Sequence, residues 1–166
     1  MDRSHFFDRL YPLQDEVLQV LSATETGLYL SGGTAASRGY LQHRFSEDLD
    51  LFVNDETTLH PQLGRLDSPE NILANKLTAL ADRNEPKDLA DVWGFCCRLG
   101  LPLSRALDDA SSKAAGLFPP ALARGLLSAS RADWELIRWI EAPDPDAFLA
   151  DLRRLGEELA LLPPPR

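Results

Sequence analysis

Two short apolar runs in the first third of the chain stand out from the polar residues around them. Leu28-Tyr29-Leu30 leads into Ser31 and the diglycine Gly32-Gly33, and Asp48 to Val53 begins with alternating acidic and apolar positions. Apolar runs of this length are typical of β-strands, and glycine permits the tight turn that follows the first one. The pattern therefore predicts one strand that turns into a helix after the diglycine, and a second strand from Asp48 to Val53.

Apolar residues at helical spacing predict helices on both sides of these strands. The first runs from His5 to Leu21, where Pro12 could divide a turn from a longer helix, and another follows the diglycine from Thr34 to Leu41. Ser68 is the expected N-cap of the next helix, with a proline in its first turn. The intervening segment, 54–67, is polar and predicts no confident strand.

From Leu101 onward the pattern predicts only helices. Three of them cover 103–116, 120–128 and 131–141, and Asp144 caps a fourth. The last helix has an apolar stripe at steps of four and three residues: Phe148, Leu152, Leu155, Leu159 and Leu162. Such a stripe either packs in the core or binds a partner. Together with the two strands, these helices predict an α+β chain that forms one domain, or a small sheet unit with a helical extension.

Composition and charge narrow the class of protein. The chain has 166 residues, is 44% hydrophobic and carries a net charge of −9. Up to Gly100 it has nine basic and sixteen acidic residues, and after Gly100 eight and ten. This balance disfavours broad nucleic-acid binding through phosphates, but it suits a metal-bound nucleotide. We expect a cytoplasmic protein with no membrane span, since we find neither a long apolar run nor a signal peptide.

The candidate chemistry lies on the two predicted strands. A diglycine turn at the start of a helix presents backbone N–H groups that suit a phosphate. On a strand, Asp48 and Asp50 share a face and lie about 6–7 Å apart, where they repel each other unless a cation lies between them. Hard oxygen ligands of this kind favour Mg²⁺ that carries a nucleotide's phosphates.

Three more charged residues have two interpretations each. Arg44 could reach a triphosphate or pair with Glu47. Lys76 lies in the middle of an apolar stripe, so it either extends past its neighbours to solvent or binds a phosphate or carboxylate in a cleft. Asp88 could stabilise the first turn of its helix, or it could orient Lys76. The first interpretation is accompanied by an ion pair between Lys87 and Asp91, which are four residues apart.

The histidines and cysteines suggest no site. His5, His43 and His60 lack metal-ligand spacing and are expected to be ordinary surface residues. Cys96 and Cys97 are adjacent within a helical pattern, which suits neither a structural disulfide nor a zinc site. We expect both cysteines to be packing residues.

Taken in order, three segments resemble the AbiEii/AbiGii toxin family of the DNA polymerase β superfamily. They are Gly32-Gly33-Thr34-Ala35, His43 to Leu51 with Arg44 and the Asp-x-Asp pair, and Glu70 to Asp91 with Lys76 and Asp88. The resemblance covers about residues 25–100. It implies a minimal nucleotidyltransferase-like mixed sheet over 1–67 with flanking helices, followed by a C-terminal helical bundle over 68–166 packed on it as one compact unit.

The resemblance also implies site roles and partners. Gly32, Gly33, Thr34, Arg44 and Lys76 would bind the nucleotide, Asp48 and Asp50 would hold Mg²⁺, and Lys76 and Asp88 would join Asp48 and Asp50 as catalytic residues. The substrate would be an NTP and the acceptor a tRNA or a protein, and a cognate antitoxin would be a partner. The chain is shorter than the family between the Asp-x-Asp strand and the Lys76 helix, where its only acids are Asp55, Glu56 and Asp67, so the family's third carboxylate has no clear counterpart.

Three functions follow from these observations. The first is a Mg²⁺-dependent nucleotidyltransferase that moves NMP from an NTP to an RNA end or a protein, with Lys76 offsetting charge on the transferring group. The second is a truncated, inactive relative that acts as a nucleotide-binding or protein-interaction module through the apolar stripe of the last helix. A hydrolase that uses Asp48 and Asp50 as acid and base is disfavoured, because the sequence suggests no difference between their environments.

Overall fold

A computed structural model describes residues 3–24, 26–53, 57–113 and 119–161. Four strands, β1 (Leu28–Ser31), β2 (Asp50–Val53), β3 (Thr57–His60) and β4 (Gly64–Asp67), form one mixed sheet in the order β2-β1-β4-β3. β1 pairs antiparallel with β2 and parallel with β4, and β3 is antiparallel to β4. The sheet and its flanking helices confirm the predicted α+β fold.

The register of the sheet places three polar side chains in neighbouring positions. Ser31 lies opposite Asp50 in the antiparallel pair, and Leu30 lies opposite Leu66 in the parallel pair, so Ser31 is beside Asp67. Partners in a register share a face of the sheet. Asp50, Ser31 and Asp67 therefore line one face at the carboxyl end of β1.

Two expectations about the strands were wrong. β2 begins at Asp50, so Asp48 precedes the strand, and the predicted shared strand face of the two aspartates is not formed by regular pairing. The segment after β2 contains two strands, β3 and β4, where the polar pattern predicted none. β3 and β4 are each only four residues long, and pairing with neighbouring strands stabilises them. A sequence pattern of four residues gives little indication of a strand by itself. Asn54, Asp55 and Glu56 lie outside the described residues.

Helices flank the sheet before and after β1. The first consists of α1 (Arg3–His5), a π-helical stretch (Phe6–Leu10) and α2 (Tyr11–Ala23), and Pro12 lies in the first turn of α2. After β1, α3 (Gly32–Thr34) continues as a π-helical stretch (Ala35–Leu41). The chain thus turns directly from β1 into a helix at the diglycine, as the glycines predicted.

The next two helices carry Lys76 and Asp88. α4 (Pro69–Asp82) is capped by Ser68, whose hydroxyl accepts the Asn71 N–H at 3.1 Å. α5 (Pro86–Trp93) continues as a π-helical stretch (Gly94–Arg98), and the chain leaves this helix at Gly100, which has a φ of +72°. Asn84, between the helices, also has a positive φ, of 45°. The short connection fixes α4 and α5 side by side, which brings Lys76 close to the start of α5.

The remaining helices are α6 (Leu103–Lys113), α7 (Pro119–Leu127), α8 (Arg131–Leu136) and α9 (Pro145–Leu161). α8 ends five residues before the predicted end at Glu141, because the chain after Leu136 pairs with 43–45 instead. The apolar stripe of α9 is buried at Phe148, Leu152, Leu155 and Leu159, and Leu162 lies outside the described residues. The stripe is therefore core packing, and it offers no surface for the interaction module considered above.

One buried cluster joins the sheet to the helical region. It contains Leu30 and Leu66 of the sheet together with Leu73 and Leu77 of α4. Cys96 and Cys97 are free thiols that pack against the cluster, and burial raises their pKa values to about 12 and about 11, respectively. The described helices include none with the length and apolar character needed to cross a bilayer.

Candidate active site

The diglycine turn at the end of β1 is the centre of the candidate site. Gly32 has a φ of +65°, which side chains other than glycine rarely adopt. A Cβ at Gly32 would lie 2.0 Å from Oδ2 of Asp50. A Cβ at Gly33 would lie 2.9 Å from both Nη2 of Arg44 and Oγ of Ser46. The absence of side chains at the turn thus allows a carboxylate and a guanidinium to approach the backbone from different directions.

The two aspartates of the Asp-x-Asp motif are exposed near this turn. Asp50 lies over Gly32 at the start of β2. Asp48 is held through its backbone, since the buried hydroxyl of Thr34 donates a short hydrogen bond to the Asp48 carbonyl. The side chain of Thr34 therefore tethers the acidic segment, which leaves only the backbone of Thr34 to contact a phosphate.

Asp67 is a third carboxylate at the site, and the sequence analysis did not assign it to a strand. It is 1% exposed at the end of β4. Its Oδ2 accepts the Ser31 hydroxyl at 2.6 Å, and Asn71 Nδ2 donates to both of its oxygens at 2.7 and 2.8 Å. The alternation in Gly64-Arg65-Leu66-Asp67 is the one signal that could have revealed this strand.

Lys76 ends in a buried ion network between α4 and α5. Its ammonium lies 3.0 Å from Asp88 Oδ1 and 2.8 Å from Asp91 Oδ2, and the residue is 7% exposed. Arg83 also binds Asp88, at 2.9 Å. Lys76 therefore does not reach solvent, and Asp88 contacts it as the spacing suggested. Lys87 pairs with Glu85 at 3.0 Å, and Asp91 takes part in this network instead of pairing with Lys87.

Arg44 extends the network to the diglycine turn. Its Nε and Nη2 donate to the two oxygens of Asp91, each at 2.7 Å, and its Nη1 donates to the Phe45 carbonyl at 3.0 Å. Glu47 pairs with Arg138. The expected alternative, an ion pair between Arg44 and Glu47, is therefore not formed. Asp91 thus connects Arg44 to Lys76 through a single buried carboxylate.

His43 corrects the expectation that all three histidines are surface residues. It is fully buried, and its Nε2 lies 2.9 Å from Asp91 Oδ1. Burial lowers the pKa of His43, although Asp91 acts in the opposite direction, so the imidazole is neutral at pH 7. The neutral ring donates through Nε2, and Nδ1 has no partner among the described residues.

The charges in the network stabilise one another. Burial by itself would raise the pKa of Asp91, but Arg44 and Lys76 outweigh it and hold that pKa well below its usual range. Burial would likewise lower the pKa of Lys76, but the carboxylates of Asp91 and Asp88 raise it. Three cations, Arg44, Lys76 and Arg83, face the two carboxylates Asp88 and Asp91. Arg83 also lies 3.7 Å from Glu85, so each of these three cations has a carboxylate partner.

The five aspartates of the candidate site fall into two sets, which differ in whether they form ion pairs. Asp88 and Asp91 are neutralised by side chains, whereas Asp48, Asp50 and Asp67 form no ion pair with any described residue. Within the described part of the chain, no three His, Cys, Asp or Glu side chains converge as a ready metal site. The donor set fits Mg²⁺ only if phosphate oxygens and water complete the coordination, which is how Mg²⁺ usually binds.

The site thus combines a short mixed sheet, a diglycine turn, an acidic strand beside the turn and a buried ion network between α4 and α5, all within an α+β fold. Residues 17–67 match the family model described as Nucleotidyl transferase AbiEii toxin, Type IV TA system. The match confirms the AbiEii resemblance over residues 17–67, the part of the chain that is similar to this family. The comparisons with curated proteins and with solved structures gave no match.

The matched residues contain one side of the site. The diglycine turn, Arg44, Asp48, Asp50 and Asp67 all lie within 17–67. Lys76, Asp88 and Asp91 lie beyond it, and Asp91 connects Lys76 to the turn through its ion pair with Arg44. The structure thus places residues of α4 and α5 beside the segment that matches the family model.

Proposed function

We propose that this chain is a Mg²⁺-dependent nucleotidyltransferase of a toxin–antitoxin system, which acts in the cytoplasm and is restrained by a cognate antitoxin. Its substrates are an NTP and an acceptor hydroxyl on an RNA end or a protein. One observation carries the proposal: at the diglycine turn, the carboxylate of Asp50 lies over Gly32 while the guanidinium of Arg44 lies against Gly33. A metal-bound triphosphate needs both kinds of group at one place.

The phosphates would bind at the start of the helical segment 32–41. Backbone N–H groups of Gly32, Gly33 and Thr34 are available there, and Arg44 contributes a guanidinium that Asp91 holds in a fixed orientation. Three of the five N–H bonds of Arg44 are used by Asp91 and Phe45 among the described residues. The remaining two suit a phosphate oxygen.

Asp48, Asp50 and Asp67 would hold Mg²⁺ together with the phosphates. When bound, the ion would neutralise charge on the phosphates and polarise the reacting phosphoryl group. Asp50 and Asp67 flank Ser31 on one face of the sheet, and the Ser31 hydroxyl and Asn71 fix the orientation of Asp67. Asp67 is therefore our candidate for the third carboxylate that the short sequence segment did not reveal.

Lys76 and Asp88 would act from behind the turn. Both are buried, and the ammonium of Lys76 binds Asp88 and Asp91. In the proposed site, Lys76 adds positive charge close to the transferring group, and Asp88 orients Lys76. This positive charge favours the transition state, in which negative charge spreads over the phosphoryl oxygens.

The proposed reaction is a nucleophilic substitution at the α-phosphorus of the NTP. The acceptor oxygen forms a bond to the α-phosphorus of the NTP, and the bond from that phosphorus to the oxygen bridging to the β-phosphate breaks. Pyrophosphate leaves with the electron pair, and the acceptor hydroxyl loses its proton to a neighbouring carboxylate or water. The chain's contribution is mainly positioning and electrostatics.

A binding titration tests the proposal most directly. NTP affinity is measured by calorimetry with and without Mg²⁺ for the wild type, Asp48→Ala, Asp50→Ala and Asp67→Asn. We expect Mg²⁺-dependent binding in the wild type and its loss in the variants. Asp82→Asn, which alters an exposed aspartate at the end of α4, is the matched control. Unchanged binding in all three site variants would remove the metal from the proposal.

Turnover is tested with NTPs labelled at the α-phosphate. Transfer of label to RNA or to protein in the presence of Mg²⁺ would identify the class of acceptor. The inactive-module alternative predicts nucleotide binding without transfer in any acceptor mixture. The contact surface suggested for such a module was the apolar stripe of α9, and that stripe is buried.

A further inference from the structure

A separate cavity lies at the amino end of β1, whereas the diglycine turn follows the carboxyl end of this strand. Its volume is about 430 Å³, and its walls are formed by the end of α2, the link to β1 and residues of all four strands. Cavities that bind small molecules typically have volumes of about 300–1,000 Å³. None of the residues assigned to the candidate active site lines it, so the cavity is a separate feature of the fold.

The pairing of β1 with β4 explains why the sheet is open at this end. Within these two strands, Leu30 opposite Leu66 is the single register pair. On the amino side of that pair, Leu28 and Tyr29 of β1 and Arg65 of β4 line the cavity instead of pairing with each other. The opening is therefore set by the course of the two backbones.

The interior of the cavity is apolar. Seven leucines line it, and they come from α2, from β1, β2 and β3, and from the chain just before β4. Leu18, Leu30 and Leu63 are 3%, 1% and 2% exposed, so they form its floor. A polar group placed on this floor would lose its hydrogen bonds to water without replacing them. The interior therefore favours the apolar part of a ligand.

Polar groups lie at the rim. Ser22, Thr24 and Thr26 line the cavity and are exposed to solvent. The Thr26 hydroxyl accepts the Leu28 N–H at 3.2 Å, which leaves the proton of this hydroxyl for another acceptor. A ligand with one polar end would therefore place that end at the rim and its apolar part on the leucines.

Arg65 supplies the positive charge of this rim. Its Nε donates to the Thr57 hydroxyl at 2.9 Å, and its guanidinium forms no ion pair with any described carboxylate. Arg44, Lys87 and Arg138, by contrast, each bind a carboxylate. The protein carries −9 overall, yet no acidic residue is among those that line the cavity. Arg65 is therefore available to an anion.

We propose that this cavity binds a small amphipathic anion, a medium-length hydrocarbon chain that ends in one carboxylate. The hydrocarbon lies on Leu18, Leu30 and Leu63, and the carboxylate binds the free N–H groups of Arg65. A guanidinium suits this ligand because it can donate two parallel hydrogen bonds to one carboxylate. The inference does not rest on the proposed function, since no residue of the nucleotide site takes part in it.

Calorimetric titration with decanoate, below the concentration at which it aggregates, tests the role of Arg65. The wild type should bind decanoate at one saturable site. In Arg65→Gln we expect Kd to rise roughly tenfold, the loss typical of a hydrogen bond to a charged group. Arg105→Gln, which alters an exposed arginine of α6 outside the cavity, is the matched control and should keep the wild-type Kd. Equal affinities in the two variants would refute the proposal, as would the absence of saturable binding to the wild type.

Two further probes with the same hydrocarbon chain test the charge of the ligand. Decanamide has no charge for Arg65 to bind, so the wild type and Arg65→Gln should bind it with equal affinity. Decylammonium should bind the wild type more weakly than decanoate does. If Arg65→Gln weakens decanamide as much as decanoate, Arg65 contributes packing only and the carboxylate contact is refuted. Tighter binding of decylammonium than of decanoate would refute the preference for an anion.

A cavity-filling variant tests the location of the ligand. Leu28→Trp enlarges a half-buried side chain that lines the cavity and should abolish decanoate binding. Phe52→Trp is the control, because Phe52 lies on β2 at 53% exposure and does not line the cavity. Circular dichroism shows whether each variant is folded, and the exposed Arg65→Gln provides the test if Leu28→Trp is not. Decanoate binding by a folded Leu28→Trp with the wild-type Kd would place the ligand elsewhere and overturn the inference.

Discussion

Arg44 and Asp91 form a buried bidentate ion pair although they lie 47 positions apart in the chain. Nε and Nη2 of Arg44 each donate to a different oxygen of Asp91, and Asp91 also accepts from Lys76 and His43. Because Arg44 touches Gly33 as well, this one pair connects the helical region to the diglycine turn. The geometry of the candidate site therefore depends on Asp91, a buried residue of α5.

Replacing Asp91 by Asn should destabilise the protein strongly. The change leaves Arg44 and Lys76 buried with one carboxylate fewer, and breaking a buried pair in this way costs about 3–5 kcal/mol. Urea unfolding measures the free energy of unfolding. The control, Asp82→Asn, alters an exposed side chain and should shift it by less than about 0.5 kcal/mol. Equal shifts in the two variants would show that the network contributes no special stability.

His43 should make stability depend on pH between about 5 and 7. Its folded pKa is lowered by burial, so below the ordinary value of 6.5 the unfolded chain binds a proton that the folded protein does not. The free energy of unfolding should then decrease as pH falls from 7 to 5, by at most about 1.4 kcal/mol per pH unit. Asp91, whose pKa is depressed, affects stability only at lower pH, as unfolded carboxyls begin to take up protons near pH 4–5.

The variant His43→Gln isolates this effect, because Gln retains an N–H that can donate to Asp91. Its stability should vary less between pH 5 and 7 than that of the wild type. His5→Gln, at an exposed position, should keep the wild-type slope. A wild-type slope in His43→Gln would mean that another group causes the pH dependence.

Gly32→Ala should weaken nucleotide binding by more than backbone strain alone explains. The new Cβ would collide with Asp50 Oδ2, at 2.0 Å, and displace the carboxylate. Gly100→Ala is the matched control, since Gly100 has a similar positive φ of 72° but no atom within 4 Å of an added Cβ. Both changes should cost about 1–2 kcal/mol of stability. Only Gly32→Ala should weaken Mg²⁺-dependent NTP binding, by tenfold or more, and equal affinities would argue against a nucleotide at this turn.

We also predict that 1–67 and 68–166 form a single cooperative unit. Leu30 and Leu66 of the sheet pack in the same buried cluster as Leu73 and Leu77 of α4, so the sheet lacks part of its core without the helices. The full chain should unfold in one transition by calorimetry, and a fragment of residues 1–67 should remain unfolded. A fragment that unfolds cooperatively by itself would contradict this prediction.

Local chemistry made part of the fold predictable. The diglycine turn, the Ser68 cap and the helical apolar stripes are signals contained within a few neighbouring residues, and the structure has each of them. Lys76 and Asp88 lie on two helices joined by one tight turn, so the sequence pattern could also predict their contact. The strands β3 and β4 were not, because each is four residues long and depends on its neighbours for pairing.

The sequence by itself determined the α+β class, the position of the diglycine turn and the acidic segment that follows it. Only the tertiary structure decided that Asp67 joins the site, that His43 is buried and that Asp91 aligns Arg44 with the turn. The reason is physical: turns and caps depend on adjacent residues, whereas these contacts join residues 36 to 48 positions apart. Such contacts form only when the sheet and the helices pack together, so no local pattern contains them.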